Sequence, residues 1–250
     1  MREEVAPLLD RFLAGLHEAL PPIALWVHGS LALGDFQPGR SDVDTIAVVA
    51  SAPTKEQRRL LKVLHQALAA EFPQAKKLHC SYIVRSTLPD SQVRHLTWAH
   101  EELQTRPVTE VTRRELHTGD MTLFGPSPRE LLPPVTDEEL AAFIRADLRD
   151  FWLPATAKPV RWLQDIWVDL GLLTLGRATV TLDDGRMLTK GEALDVLSGL
   201  GAPAEVLADI RGRRYGSTAP LSFPRRVRRA ALTRAFVRSG IKRTLDAPPR

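Results

Sequence analysis

Asp42 and Asp44 are the two side chains of this 250-residue chain best placed to do chemistry. They open an apolar run, Ile46 to Val49, that reads as a β-strand, and strand side chains repeat on one face every second residue. Both carboxylates are therefore expected to point the same way. Like charges held side by side repel, and the ionised pair is costly unless a cation sits between them. A hard ion such as Mg²⁺ takes oxygen ligands and commonly links one or two carboxylates to substrate phosphates. Upstream, a second apolar run, Ile23 to Val27, ends at His28-Gly29-Ser30. Glycine permits close backbone approach, and Ser30 with nearby backbone N–H groups can hold a phosphate. The spacing describes a metal–triphosphate site.

The elements that must carry these residues are legible in part. Val5, Leu8, Leu9, Phe12, Leu13 and Leu16 recur at helical spacing, so an amphipathic helix opens the chain and stops at Pro21-Pro22. The two strands follow, joined through a short helical piece and a turn at Pro38-Gly39. Thr54-x-x-Gln57 is a capping box and starts a helix that runs to about Phe72. Leu78 to Val84 reads as a third strand. Helical spacing is expected at 91–103 and 109–118, and Leu123-Phe124-Gly125-Pro126 reads as a turn. Pro126, Pro128, Pro133 and Pro134 mark a linker. Beyond it, Thr136-x-x-Glu139 and Thr189-x-x-Glu192 are further capping boxes. A helix from Pro159 is expected to bury Val160, Leu163, Trp167, Leu170 and Leu173 to Leu175. Helical stretches at 204–210 and 225–239 complete the second half, and the final Ala247 to Arg250 is expected to fray.

Composition bounds the class. The apolar share of 44% and charged share of 26% are those of a folded, soluble protein, and no apolar run approaches the roughly 20 residues that span a bilayer. A single cysteine, Cys80, excludes an internal disulfide framework and fits a reducing compartment, so a cytoplasmic protein without membrane partners, one or two chains in assembly, is expected. The net charge of +4 is uneven: eight Lys/Arg residues and no acid lie between Pro224 and Arg243. Such a run is a solvated helix face or a surface for phosphates, and it motivates an alternative acceptor, RNA or protein.

Gly29-Ser30, Gly34 and Ser41-Asp42-x-Asp44 together resemble the signature of the nucleotidyltransferase superfamily, the one related to DNA polymerase beta. The resemblance implies an α+β fold: a small mixed β-sheet with helices over residues 1–130, then an all-α helical domain over 131–250. It implies a nucleoside triphosphate bound through Gly29, Ser30 and Ser41, with Mg²⁺ on Asp42 and Asp44. Leu123 to Pro126, Trp162 to Gly176, Leu188-Thr189-Lys190-x-Glu192-Ala193 and Arg214-Tyr215-Gly216 further resemble aminoglycoside adenylyltransferases of the streptomycin/spectinomycin type. In that family the helical domain closes on the nucleotide, so Lys190 is expected to contact its phosphates and Tyr215 to lie near it. The implied activity is transfer of AMP from ATP to a hydroxyl of a small-molecule acceptor, and the implied biology is antibiotic resistance. A polycationic acceptor needs acids, and Glu192 and Asp195 are the candidates, with Asp165 and Asp169 beside them.

One position departs from the pattern. These enzymes carry a third carboxylate on the strand after Asp-x-Asp, and here that position is His79. Histidine serves as a general base near neutral pH but is a poor Mg²⁺ ligand. Three readings follow: His79 is the base, another acid such as Glu110 or Asp120 swings in, or catalysis is weak and the chain is a nucleotide-binding protein.

Overall fold

The computed structural model describes residues 2–217 and 219–247, and the Pro248 to Arg250 tail expected to fray lies outside them. The chain divides into two compact units, Met1–Val135 and Thr136–Arg250.

The first unit carries the sheet. Helix α1 (Arg2–Ala19) leads into β1 (Pro22–His28), the one-turn α2 (Gly29–Ala32) and β2 (Val43–Val49). Then come α3 (Lys55–Glu71), β3 (Leu78–Val84), β4 (Arg94–Ala99), β5 (Glu102–Pro107), α4 (Glu110–Gly119), β6 (Met121–Phe124) and the short α5 (Pro128–Leu131). The strand order is β5-β4-β3-β2-β1-β6, with β2 and β3 parallel and every other pair antiparallel. The capping box of α3 forms as read, Thr54 Oγ1 accepting from Gln57 N at 3.2 Å.

Strand alternation sorts this unit into two cores. Leu25, Val27, Ala47, Val49, Leu78, Cys80 and Tyr82 face α1 and α3, burying Leu8, Phe12, Leu16, Leu61 and Leu68. The opposite parity, Ala24, Trp26, Ile46, Val48 and Ile83, meets Leu116 of α4 and Leu132. Asp44, His28 and His79 share that second parity, so they lie on the face that α4 partly covers.

Three expectations in the chain's middle are corrected. Residues 91–103 are not helical but form the β4–β5 hairpin, whose turn residues His100 and Glu101 hold φ of 54° and 62° without a glycine. Leu123-Phe124 is not a turn but the end of β6, paired to β1, with the turn displaced to Gly125. The helix expected from Pro159 is a 3₁₀ turn, Pro159–Leu163, broken at the extended Gln164 before α8 begins at Asp165. That break resets the helical phase. Val160 and Leu170 are 73% and 41% exposed, Val168 and Leu172 are buried in their place, and Leu173 and Leu175 are buried as expected.

The second unit is helical: α6 (Asp137–Asp147) continues through a π turn, Leu148–Trp152, into α7 (Leu153–Ala155). Helices α8 (Asp165–Asp184), α9 (Lys190–Gly199), α10 (Ala204–Tyr215) and α11 (Phe223–Asp246) follow. Trp162 is fully buried, donating Nε1–H to Ala155 O at 3.0 Å. The α+β class, with a mixed sheet and a helical second part, is the one expected. No described helix is long and apolar enough to cross a membrane.

Candidate active site

The site begins with β2. Its register with β3 sets Asp44 opposite His79, and its register with β1 sets Asp44 opposite His28. Asp44 is thus flanked by an imidazole on each neighbouring strand. His79 Nδ1 lies 3.2 Å from Asp44 Oδ1. Two residues earlier in each segment, just before the strands begin, Lys77 Nζ lies 3.4 Å from Asp42 Oδ1. Both acids thus meet a residue of the neighbouring β3 segment where the two strands start. Their side chains are 44% and 30% exposed, respectively.

Gly29 supports Asp44 by its lack of a side chain. Its φ is +66°, and a Cβ there would come within 3.0 Å of Asp44 Oδ2. Ser30 follows on α2, which closes with Leu33 N donating to Gly29 O at 3.0 Å. Ser41 is buried, and its hydroxyl accepts from Gln37 N at 3.0 Å. That bond fastens the Pro38-Gly39 turn that delivers Asp42.

Sequence reasoning missed a buried acid beside this cluster. Glu115 of α4 is 7% exposed, and its Oε2 lies 3.4 Å from His28 Nδ1. Burial alone would push the His28 imidazole down, but the bond to Glu115 and the charges of Asp44 and Glu115 outweigh it. His28 therefore holds its proton above the usual pH. His100 also joins the cluster, its ring edge-on to His79 at 4.9 Å between centroids. Glu110 heads α4, with Thr109 as its cap residue, and Asp120 ends that helix, ion-paired to Arg129 at 3.1 Å.

In the second unit, Lys190 opens α9 and Tyr215 ends α10. These come together: a Cβ on Gly191 would lie 2.8 Å from Tyr215 Oη. Arg214 adds a bond from Nε to Tyr215 Oη at 3.1 Å and stacks on the ring at 5.3 Å. Glu192 closes the α9 capping box, accepting from Thr189 N at 2.8 Å. Asp195 pairs with Arg211 at 2.8 Å. Asp165 and Asp169, one turn apart on α8, face arginines: Asp165 meets Arg229 and Asp169 meets Arg213, each at 2.5 Å. Asp209 joins both arginines. Arg228 of the basic run pairs with Glu205 at 2.9 Å, and Arg229 is buried in the network just described. Much of that run's charge near its start is thus neutralised internally.

A divalent cation fits the first cluster by its donor chemistry. Two part-exposed carboxylates are oxygen ligands, and Lys77 meets Asp42 only through a part-exposed 3.4 Å ion pair that is cheap to break, its Nζ donating also to Arg40 O at 2.9 Å. Among the described residues, no group of three or more His, Cys, Asp or Glu side chains is arranged to hold a metal. Its remaining ligands would come from phosphate oxygens and water.

The profile of the nucleotidyltransferase domain family matches residues 9–97, which span β1 through most of β4. No curated protein matches the chain. Among solved structures, the spectinomycin adenyltransferase AAD(9) from Enterococcus faecialis, solved with ATP and spectinomycin, is similar with a TM-score of 0.73. The match covers 95% of this chain and 99% of that one at 14% identity, a likeness of fold.

Proposed function

We propose that the chain, whose residues 9–97 match the profile of the nucleotidyltransferase domain family, transfers AMP from ATP to a hydroxyl of a small cationic acceptor of the aminoglycoside class. The observation that carries this reading is Asp44 packed beside the Gly29 turn, with Asp42 two residues before it and both acids part-exposed. The extent of the fold shared with an adenyltransferase solved with ATP and spectinomycin supports the choice of nucleotide and acceptor.

In this reading the acceptor hydroxyl attacks the α-phosphorus in line and pyrophosphate leaves. Asp42 and Asp44 would hold Mg²⁺, which when bound neutralises charge on the triphosphate and orients it. Ser30 and the backbone of the Gly29 turn would receive the terminal phosphates. Ser41 serves this site by fixing the turn before Asp42. Lys190 supplies a point charge for phosphate, and Tyr215 a flat face for the nucleotide. Glu192 and Asp195, which follow Lys190 on α9, are the acceptor-side candidates. His79 acts here as a partner that orients Asp44. RNA is a weaker acceptor candidate, because Arg228 and Arg229 are already paired within the protein.

The test is transfer of label from α-³²P-ATP to a panel of aminoglycosides, including spectinomycin and streptomycin. A labelled aminoglycoside is the expected product. Tight ATP binding without a labelled product on any acceptor would place the chain among nucleotide sensors instead, and labelled RNA or protein would move the acceptor class.

A further inference from the structure

The proton on the attacking hydroxyl must go somewhere, and His79, where the resemblance implies a third carboxylate, already turns Nδ1 toward Asp44. The other neighbour of Asp44 is differently equipped. His28 ends β1 opposite Asp44, on the same face, immediately before the Gly29-Ser30 turn. Its Nδ1 faces Glu115, a carboxylate buried under α4 that the paired-acid site does not use. The alternative acids are placed elsewhere. Asp120 is tied to Arg129, and Glu110 lies five residues before Glu115, about 7.5 Å along the helix axis.

We propose that His28 accepts the acceptor's proton on Nε2 and that Glu115 is the positioning residue that keeps its Nδ1 protonated. This rests on the nucleotidyl-transfer reading above. As the acceptor oxygen bonds to the α-phosphorus, the bond from that phosphorus to the β-bridging oxygen breaks. Pyrophosphate departs with the electron pair of that bond, and the hydroxyl proton passes to His28 Nε2. Glu115 stays ionised throughout and stabilises the imidazolium, as carboxylate–imidazole pairs do in acyl transfer. The 3.4 Å separation is long for a hydrogen bond, in keeping with catalytic pairs that tighten only when substrate is bound.

Two measurements test this. In ¹⁵N-histidine-labelled protein at alkaline pH, long-range ¹H–¹⁵N spectra should show His28 as the Nδ1–H tautomer, and Glu115→Gln should shift it toward Nε2–H. With α-³²P-ATP and spectinomycin, Glu115→Gln and His28→Ala should each lower kcat by about 100-fold while leaving KM for ATP within about threefold. Added imidazole should restore much of the His28→Ala rate, which a merely structural role would not allow. An Nε2–H tautomer in the wild type, or kcat within about twofold of wild type in His28→Ala, overturns the proposal. If the wild type labels no aminoglycoside, the acceptor reading fails, and the tautomer by itself decides the Glu115–His28 pair.

Discussion

His79 Nδ1 sits 3.2 Å from Asp44 Oδ1, so an imidazole occupies the strand position where the resemblance implies a third acid. The contact makes His79 a hydrogen-bonding neighbour of Asp44, where a third carboxylate would be a like charge. Converting it to glutamate would set like charges against each other, a repulsion that a divalent cation relieves. His79→Glu is expected to melt below the wild type in EDTA and to regain more from MgCl₂ than the wild type does. Thermal denaturation with and without MgCl₂ checks this, and an equal response of the two proteins would count against the paired-acid site.

The two acids can be tested without any acceptor. Asn at positions 42 and 44 keeps the shape of the side chains and removes both charges. The double variant Asp42→Asn, Asp44→Asn should bind ATP at least about tenfold more weakly in MgCl₂, a change of roughly 1.4 kcal/mol. In EDTA it should match the wild type. Calorimetric titration with ATP reads both arms, and undiminished binding in MgCl₂ would remove the metal from the mechanism.

What the sequence disclosed of this fold follows from its physics. Strands β1, β2 and β3 were legible because they are buried on both faces and read as apolar runs. The β4–β5 hairpin was not, because Arg94-His95-Leu96-Thr97 mixes polar and apolar residues and its turn puts His100 and Glu101 in the left-handed region without glycine. Strand β6 has only four residues and borrows its order from β1. Asp42, Asp44 and His79 were visible as a short-range pattern. Glu115 was hidden, since it meets His28 across 87 residues and lies on a helix face where a glutamate normally signals solvent. Glu192 and Asp195 show the converse: acidity was legible, but the cap of α9 and the Arg211 ion pair that engage them were set by local geometry.

Gly29 offers a sharper probe, because Gly34 provides its control. Both hold positive φ, +66° and +81°, but a Cβ on Gly34 meets nothing within 4 Å. Each Gly→Ala change should cost about 1–2 kcal/mol from backbone strain alone. Only Gly29→Ala should also displace Asp44 and weaken ATP binding in MgCl₂. Urea denaturation and ATP titration of both variants separate strain from site, and equal ATP affinities would show that Gly29 matters only as a turn.

His65 carries a stability prediction far from the chemistry. It is 2% exposed, stacks on Trp98 with centroids 4.6 Å apart, and lies 2.6 Å from Tyr82 Oη through Nε2. Burial, with a smaller contribution from the charge of His79, pushes its pKa down to about 3. The folded imidazole therefore stays neutral where the unfolded one, near 6.5, takes up a proton. Because the unfolded state then binds more protons, stability falls as pH drops below 6.5, by about 1.4 kcal/mol per pH unit. His65→Gln keeps a polar partner for Tyr82 and cannot titrate. The advantage of wild type over His65→Gln should shrink by about 2 kcal/mol between pH 7 and pH 5, as read from urea unfolding at each pH. A constant difference across that range would mean that His65 takes up its proton as readily in the folded protein as in the unfolded one, against its burial beside Tyr82.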